Sequence, residues 1–147
     1  MVLLKRWRTF RQLPPSDRWT LVQALVLLPL AAATLRMLSF ARVQALLTAT
    51  LPKTVSPSSA TDRMQVTARL VQLAAHRSPL RITCLPHSLV LWWILRRRGG
   101  DAVLRFGVRK ATGEIEAHAW VEHGGVALND DADVHERFAA FDRAIAR

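Results

Sequence analysis

The stretch Arg81-Ile82-Thr83-Cys84-Leu85-Pro86-His87-Ser88-Leu89 opens an apolar helix and carries the only cysteine of the 147 residues. Thr83 reads as the N-cap of a helix running from Cys84 to Arg98. Pro86 falls in its first turn, where a missing N–H has no intrahelical partner to lose. The body, Leu89 to Leu95, is apolar on every side, the pattern of a helix buried on most faces. Arg96, Arg97 and Arg98 sit in the last turn, where cations complement the helix dipole, and Gly99-Gly100 ends it. In that position the arginine triplet reads as a solvated cap, not a nucleic-acid patch.

Downstream the period changes to two. Leu104, Phe106 and Val108 alternate with Val103, Arg105 and Arg109, and Ala111-Thr112-Gly113 makes a turn. Ile115, Ala117, Ala119 and Val121 share one strand face, with Glu116, His118, Trp120 and Glu122 on the other. Gly124-Gly125 reverses the chain into a third short strand, Val126 to Asp130, completing an antiparallel meander. Asp133 with Glu136 reads as a capping box, and Val134, Phe138, Phe141 and Ile145 form the apolar stripe of a closing helix.

Upstream, Met64, Ala68, Val71 and Ala75 recur at helical spacing, so 60–76 is expected to be a helix, with Ser59 and Asp62 resembling its cap and Ser78-Pro79 its break. Pro52 through Ser59, with two prolines and three serines, reads as a linker. The expected organisation is an N-terminal apolar helical segment over 1–51, a linker over 52–59 and an α+β domain over 60–147. In that domain a central helix packs on a small antiparallel sheet.

Charge divides along the same line. Residues 1–59 hold eight Lys/Arg against one Asp, and residues 60–147 hold thirteen against ten acidic residues. The excess basicity attracts acidic partners without specificity. Neither zinc-finger spacing nor an RNA-binding aromatic pattern is present, so no nucleic-acid partner is expected. Residues 19–35 carry no charge. A transmembrane helix needs about 20 apolar residues, and this run is slightly short and contains Gln23 and Pro29. The favoured reading is a helical hairpin, kinked near Pro29, packed on the rest of the protein or on a partner. Peripheral membrane contact stays open. No convincing signal-peptide cleavage site follows the run. A single cysteine excludes an intrachain disulfide and fits a reducing cytoplasm.

Cys84, His118 and Asp130 are the candidate catalytic residues. A thiol attacks as thiolate, and a helix N-terminus offers free N–H groups and a positive dipole end that favour the anion. A histidine completes the activation, and a carboxylate fixes its tautomer. Folding back from Gly124-Gly125 puts Asp130 about level with His118. Structural readings stand beside these: a lone cysteine as a core residue, a strand histidine as structural, Asp130 as a turn residue with Asp131 or Asp133 competing for its role. His87, three residues after Cys84, raises a zinc alternative, but ligands are too few. Neither a metal nor a cofactor is expected. His76, His123 and His135 read as surface residues, and Trp120 as core ahead of a cleft wall.

The same residues resemble the leader peptidases of lasso-peptide biosynthesis, a bacterial branch of the transglutaminase-like, papain-related cysteine proteases. The resemblance lies in Cys84-Leu85-x-x-Ser88-Leu89, Arg97-Arg98-Gly99, Phe106-Gly107-Val108, His118-Ala119-Trp120-Val121-Glu122 and Leu128-Asn129-Asp130. It implies a transglutaminase/papain-like domain and cleavage of the leader from a ribosomal precursor peptide. Cys84 would be the nucleophile, His118 the base and then the acid, and Asp130 the group orienting His118. The family commonly prefers threonine next to last in the leader. Residues 1–59 do not resemble the leader-recognition domain fused to some members. The chain therefore resembles the stand-alone form, which implies a separate leader-recognition protein and an ATP-dependent lasso cyclase as partners. The Cys84 backbone N–H is the natural first oxyanion donor; the sequence names no second. An acyltransferase using the same thioester and a non-catalytic docking scaffold are the competing functions.

Overall fold

The computed structural model describes residues 12–54 and 61–141. Helices α1 (Pro15–Met37), α2 (Phe40–Ala49), α3 (Thr61–Arg77) and α4 (Cys84–Arg97) precede the sheet. Strands β1 (Val103–Ala111), β2 (Glu114–His123) and β3 (Val126–Ala127) follow, then a single turn, α5 (Val134–Arg137), and β4 (Ala139–Ala140). The sheet is antiparallel with spatial order β3-β2-β1-β4. The fold is α+β, helices followed by one antiparallel sheet.

Helix α4 is central, as its all-round apolar body requires. Leu89, Leu91 and Trp92 are fully buried, and α4 packs on β2, α1 and α3. Its C-terminus closes as the two glycines predict. Gly99 adopts φ 79°, open to glycine at little cost, and Gly100 N–H reaches back to the Leu95 carbonyl at 2.9 Å. Of the three arginines, Arg97 and Arg98 are exposed, as a solvated cap requires, and Arg96 is half-buried. Arg98 donates to Thr20 at 2.6 Å, Arg97 lies 5.0 Å from the Trp93 ring centroid, and Arg96 is 3.8 Å from Asp101.

The N-terminal helices belong to the same core. Leu21, Ala24 and Leu28 of α1 are buried with Met64 and Val71 of α3, and each buried leucine contributes roughly 1.5–3 kcal/mol. Helix α1 runs through Pro29, and the chain turns after Leu38. Most of the expected linker lies outside the described residues, as does Ser59 of the expected cap.

Strand β1 pairs with β2 along its whole length, from Val103 opposite Glu122 to Ala111 opposite Glu114. The two-residue connections Thr112-Gly113 and Gly124-Gly125 all have positive φ, the geometry of tight hairpins between twisted strands. Two expectations are corrected. The third strand ends at Ala127, because Asn129 turns its side chain, not its backbone, toward Val121 N–H at 2.8 Å. The closing helix stops at Arg137, and Ala139–Ala140 pair with Gly107 and Val108. The outer edge of β1 offers free backbone groups that compete with another helical turn. Val134 and Phe138 are buried as the stripe predicts, Phe141 is exposed, and Ile145 lies outside the described residues. The capping box does not form, since Asp133 accepts from Arg137 at 2.9 Å instead.

Candidate active site

Cys84 is the first residue of α4, preceded by Thr83 in extended conformation at the N-cap. The Thr83 side chain makes no capping hydrogen bond. Pro86 has no N–H, so the amides of Cys84 and Leu85 are the first-turn donors left without intrahelical acceptors. The thiol is free and half-buried. It lines a cleft of about 180 Å³ with Gln72, His76, Ile82, Thr83 and His87.

His118 sits on β2 opposite Gly107 of β1. Its ring stacks on Phe138, centroids 4.8 Å apart at 27°. A Cβ at Gly107 would lie 2.9 Å from the Trp120 ring and 3.0 Å from the Phe138 Cβ, so this position leaves the aromatic group no slack. His118 Nε2 is hydrogen-bonded to Asp130 Oδ2. The Asp130 side chain is 13 % exposed. Its other oxygen takes the Asp131 N–H at 2.8 Å and Arg137 Nη2 at 2.5 Å. Burial opposes the Asp130 charge, but the bonds from His118, Asp131 N–H and Arg137 outweigh it and hold the carboxyl below its ordinary range. Asp131 and Asp133 do not take its place: Asp131 supplies only its amide, and Asp133 holds Arg137.

The structure thus joins His118 to Asp130 directly. Among the described residues no hydrogen bond links the Cys84 thiol to His118. The connection runs through Ser88, one turn along α4. Its fully buried hydroxyl donates to the carbonyl of Ala119, the neighbour of His118, at 2.8 Å. Asn129 Nδ2 donates to Ser88 Oγ at 2.8 Å, and Asn129 Oδ1 accepts from Val121 N–H at 2.8 Å. One chain of bonds, buried at Ser88 and half-buried at Asn129, therefore ties the cysteine helix, the histidine strand and the residue before Asp130.

His87 is also buried. Its Nδ1 lies 3.4 Å from Asn129 Nδ2, and its Nε2 has no hydrogen-bond partner. Burial, with His76 adding like charge, lowers its pKa to about 4, so the ring is neutral at pH 7. Trp120 is core: it is fully buried and donates to the buried Glu122 carboxylate at 2.6 Å. His76 and His135 are exposed, although His135 reaches that carboxylate at 3.3 Å, and His123 bonds the Asp101 carbonyl at 2.7 Å. The sequence showed Phe138 only as an apolar stripe residue and gave Arg137 no role, because the contacts of Phe138 with His118 and of Arg137 with Asp130 arise where α5 packs back on the sheet. Ser88 and Asn129 had a signal, two polar residues set in apolar runs.

A family model of the transglutaminase-like superfamily matches residues 24–142. The chain belongs to the transglutaminase-like superfamily. The curated proteins and the solved structures yield no match. The transglutaminase-like match begins within α1 and spans all three candidate residues. The superfamily includes cysteine proteases and acyltransferases, chemistries that share a cysteine acyl-enzyme.

Proposed function

We propose that this transglutaminase-like protein is a cysteine endopeptidase that removes the leader from a lasso-peptide precursor. The observation that carries the reading is the bond of Asp130 to His118, whose strand Ser88 bolts to the helix of Cys84. The sequence blocks around those residues supply the substrate class.

The Cys84 thiol gives its proton to His118, and the sulfur attacks the carbonyl carbon of the last leader residue. The resulting oxyanion meets the free amides at the start of α4. Collapse breaks the C–N bond, and the proton on His118 passes to the leaving amine of the core peptide. His118 then takes a proton from water, whose oxygen attacks the thioester. The leader leaves as a carboxylic acid and the thiol regains its proton. Asp130 holds the imidazole and balances its charge while protonated. The Cys84–His118 contact forms when substrate closes the site, since catalytic hydrogen bonds are often long without it. The freed core amine is the group that a separate ATP-dependent cyclase would use, and a separate leader-recognition protein would present the substrate.

Mass spectrometry of a precursor peptide incubated with the enzyme and a leader-binding protein tests this. A free leader acid and a free core amine are expected, and both disappear in Cys84→Ala and His118→Ala. An amide adduct on an added amine assigns acyl transfer instead. Undiminished cleavage by Cys84→Ala overturns the cysteine mechanism.

A further inference from the structure

Helix α1 is apolar on two opposite faces. At about 100° per residue, side chains separate by position around the helix. Leu21, Ala24 and Leu28 are buried in the core. On the other side Trp19, Val22, Val26, Leu30 and Met37 are 64, 40, 61, 57 and 85 % exposed. Their spacing keeps all five within about 80° of arc. They form one line along the helix rather than scattered surface positions, and such a line marks an interaction surface. Beside Leu30, an apolar cleft of about 150 Å³ lined by Leu27, Leu46 and Trp93 extends it.

Charge chooses the occupant. Asp17 is followed by no Asp or Glu until Asp62, while Arg18, Arg36, Arg42 and Lys53 fall in that interval. Arg36 and Arg42 are exposed. Asp17 lies 4.0 Å from Arg63. A second copy of the chain would bring one basic surface against another. An anionic bilayer suits both parts, accepting apolar side chains beneath the headgroups and cations at headgroup level.

Length and hydropathy alone would let α1 cross a bilayer. Its inner face forbids this in the folded chain. Arg98 donates to Thr20 at 2.6 Å, and Ala24 and Leu28 are fully buried; a spanning helix would forfeit both. We infer that α1 docks the folded protein on an anionic phospholipid surface, lying in its plane with Trp19, Val22, Val26 and Leu30 inserted.

Flotation of the purified full-length chain with vesicles tests the inference, using phosphatidylcholine alone and phosphatidylcholine mixed with phosphatidylglycerol. The protein floats with the mixed vesicles, and added salt weakens the binding. Val26→Glu and Leu30→Glu each weaken it by about ten-fold or more. Both positions face solvent, so the thermal melts of these variants match the parent. No flotation with the mixed vesicles overturns the inference, and so does flotation that neither substitution reduces. Vesicle-independent self-association that Leu30→Glu abolishes would assign the stripe to a second copy. Loss of binding to the leader-recognition protein in that variant, without any vesicle binding, would assign it to a protein partner.

Discussion

The buried Ser88 hydroxyl donates to the Ala119 carbonyl oxygen at 2.8 Å while accepting from Asn129. This one side chain fixes the start of the cysteine helix against the histidine strand. Ser88→Ala leaves the Ala119 carbonyl without the Ser88 donor and takes from the half-buried Asn129 amide its 2.8 Å acceptor, at a cost of about 1–3 kcal/mol. Urea unfolding measures that loss. The misplacement of Cys84 relative to His118 lowers kcat for leader cleavage by about 10–100-fold, with little change in KM. A variant with unchanged kcat would remove the clamp from the mechanism.

Asp130 serves His118 with one oxygen and Arg137 with the other. Asp130→Asn keeps the shape and removes the charge, lowering kcat by about 100-fold or more. Arg137→Gln leaves the His118 bond in place and lowers kcat only several-fold. The sign of the pH effect follows from the depressed carboxyl. Its contribution to stability is complete above the ordinary value of 3.8 and is lost as pH falls below it, through the folded-state pKa. Acid unfolding of Asp130→Asn should lack this component, as a stability titration between neutral and strongly acid pH would read.

Gly107 faces His118 across the β1–β2 ladder, against the Trp120 ring and the Phe138 Cβ. Gly107→Ala therefore overpacks a site where Trp120 is fully buried and unable to swing aside. The expected cost is about 1–3 kcal/mol. Because Phe138 stacks on His118, activity falls further than the folded fraction does. Thermal melting alongside kcat separates the two effects.

His87 has the opposite proton linkage to a salt-bridged histidine. Folding holds its pKa at about 4 against the ordinary 6.5, so the unfolded chain binds the extra proton between those values. Stability from this group is full above about pH 6.5 and declines as pH falls toward about 4, by up to about 3 kcal/mol. His87→Leu should flatten that part of the stability profile while leaving the pH 7 fold intact. An unchanged slope would show that the buried ring is not its source.

The amino-acid order alone determined the helix from Cys84, its glycine stop and both hairpin turns. It also brought Asp130 level with His118. These follow from local chemistry: proline and threonine at a helix start, glycine where φ is positive, and alternation along a strand. Only the tertiary structure decided the course of residues 138–141. The stripe through Val134, Phe138 and Phe141 satisfies helical periodicity, yet the unpaired edge of β1 captures Ala139 and Ala140, and Arg137, in the last turn before them, meets Asp130. The same holds for Ser88 and Asn129, whose hydrogen bonds span 31 and 41 residues of sequence. Their polarity within apolar runs was legible, but their partners were not, because the energy of such bonds exists only when the helix and the sheet bring those groups together.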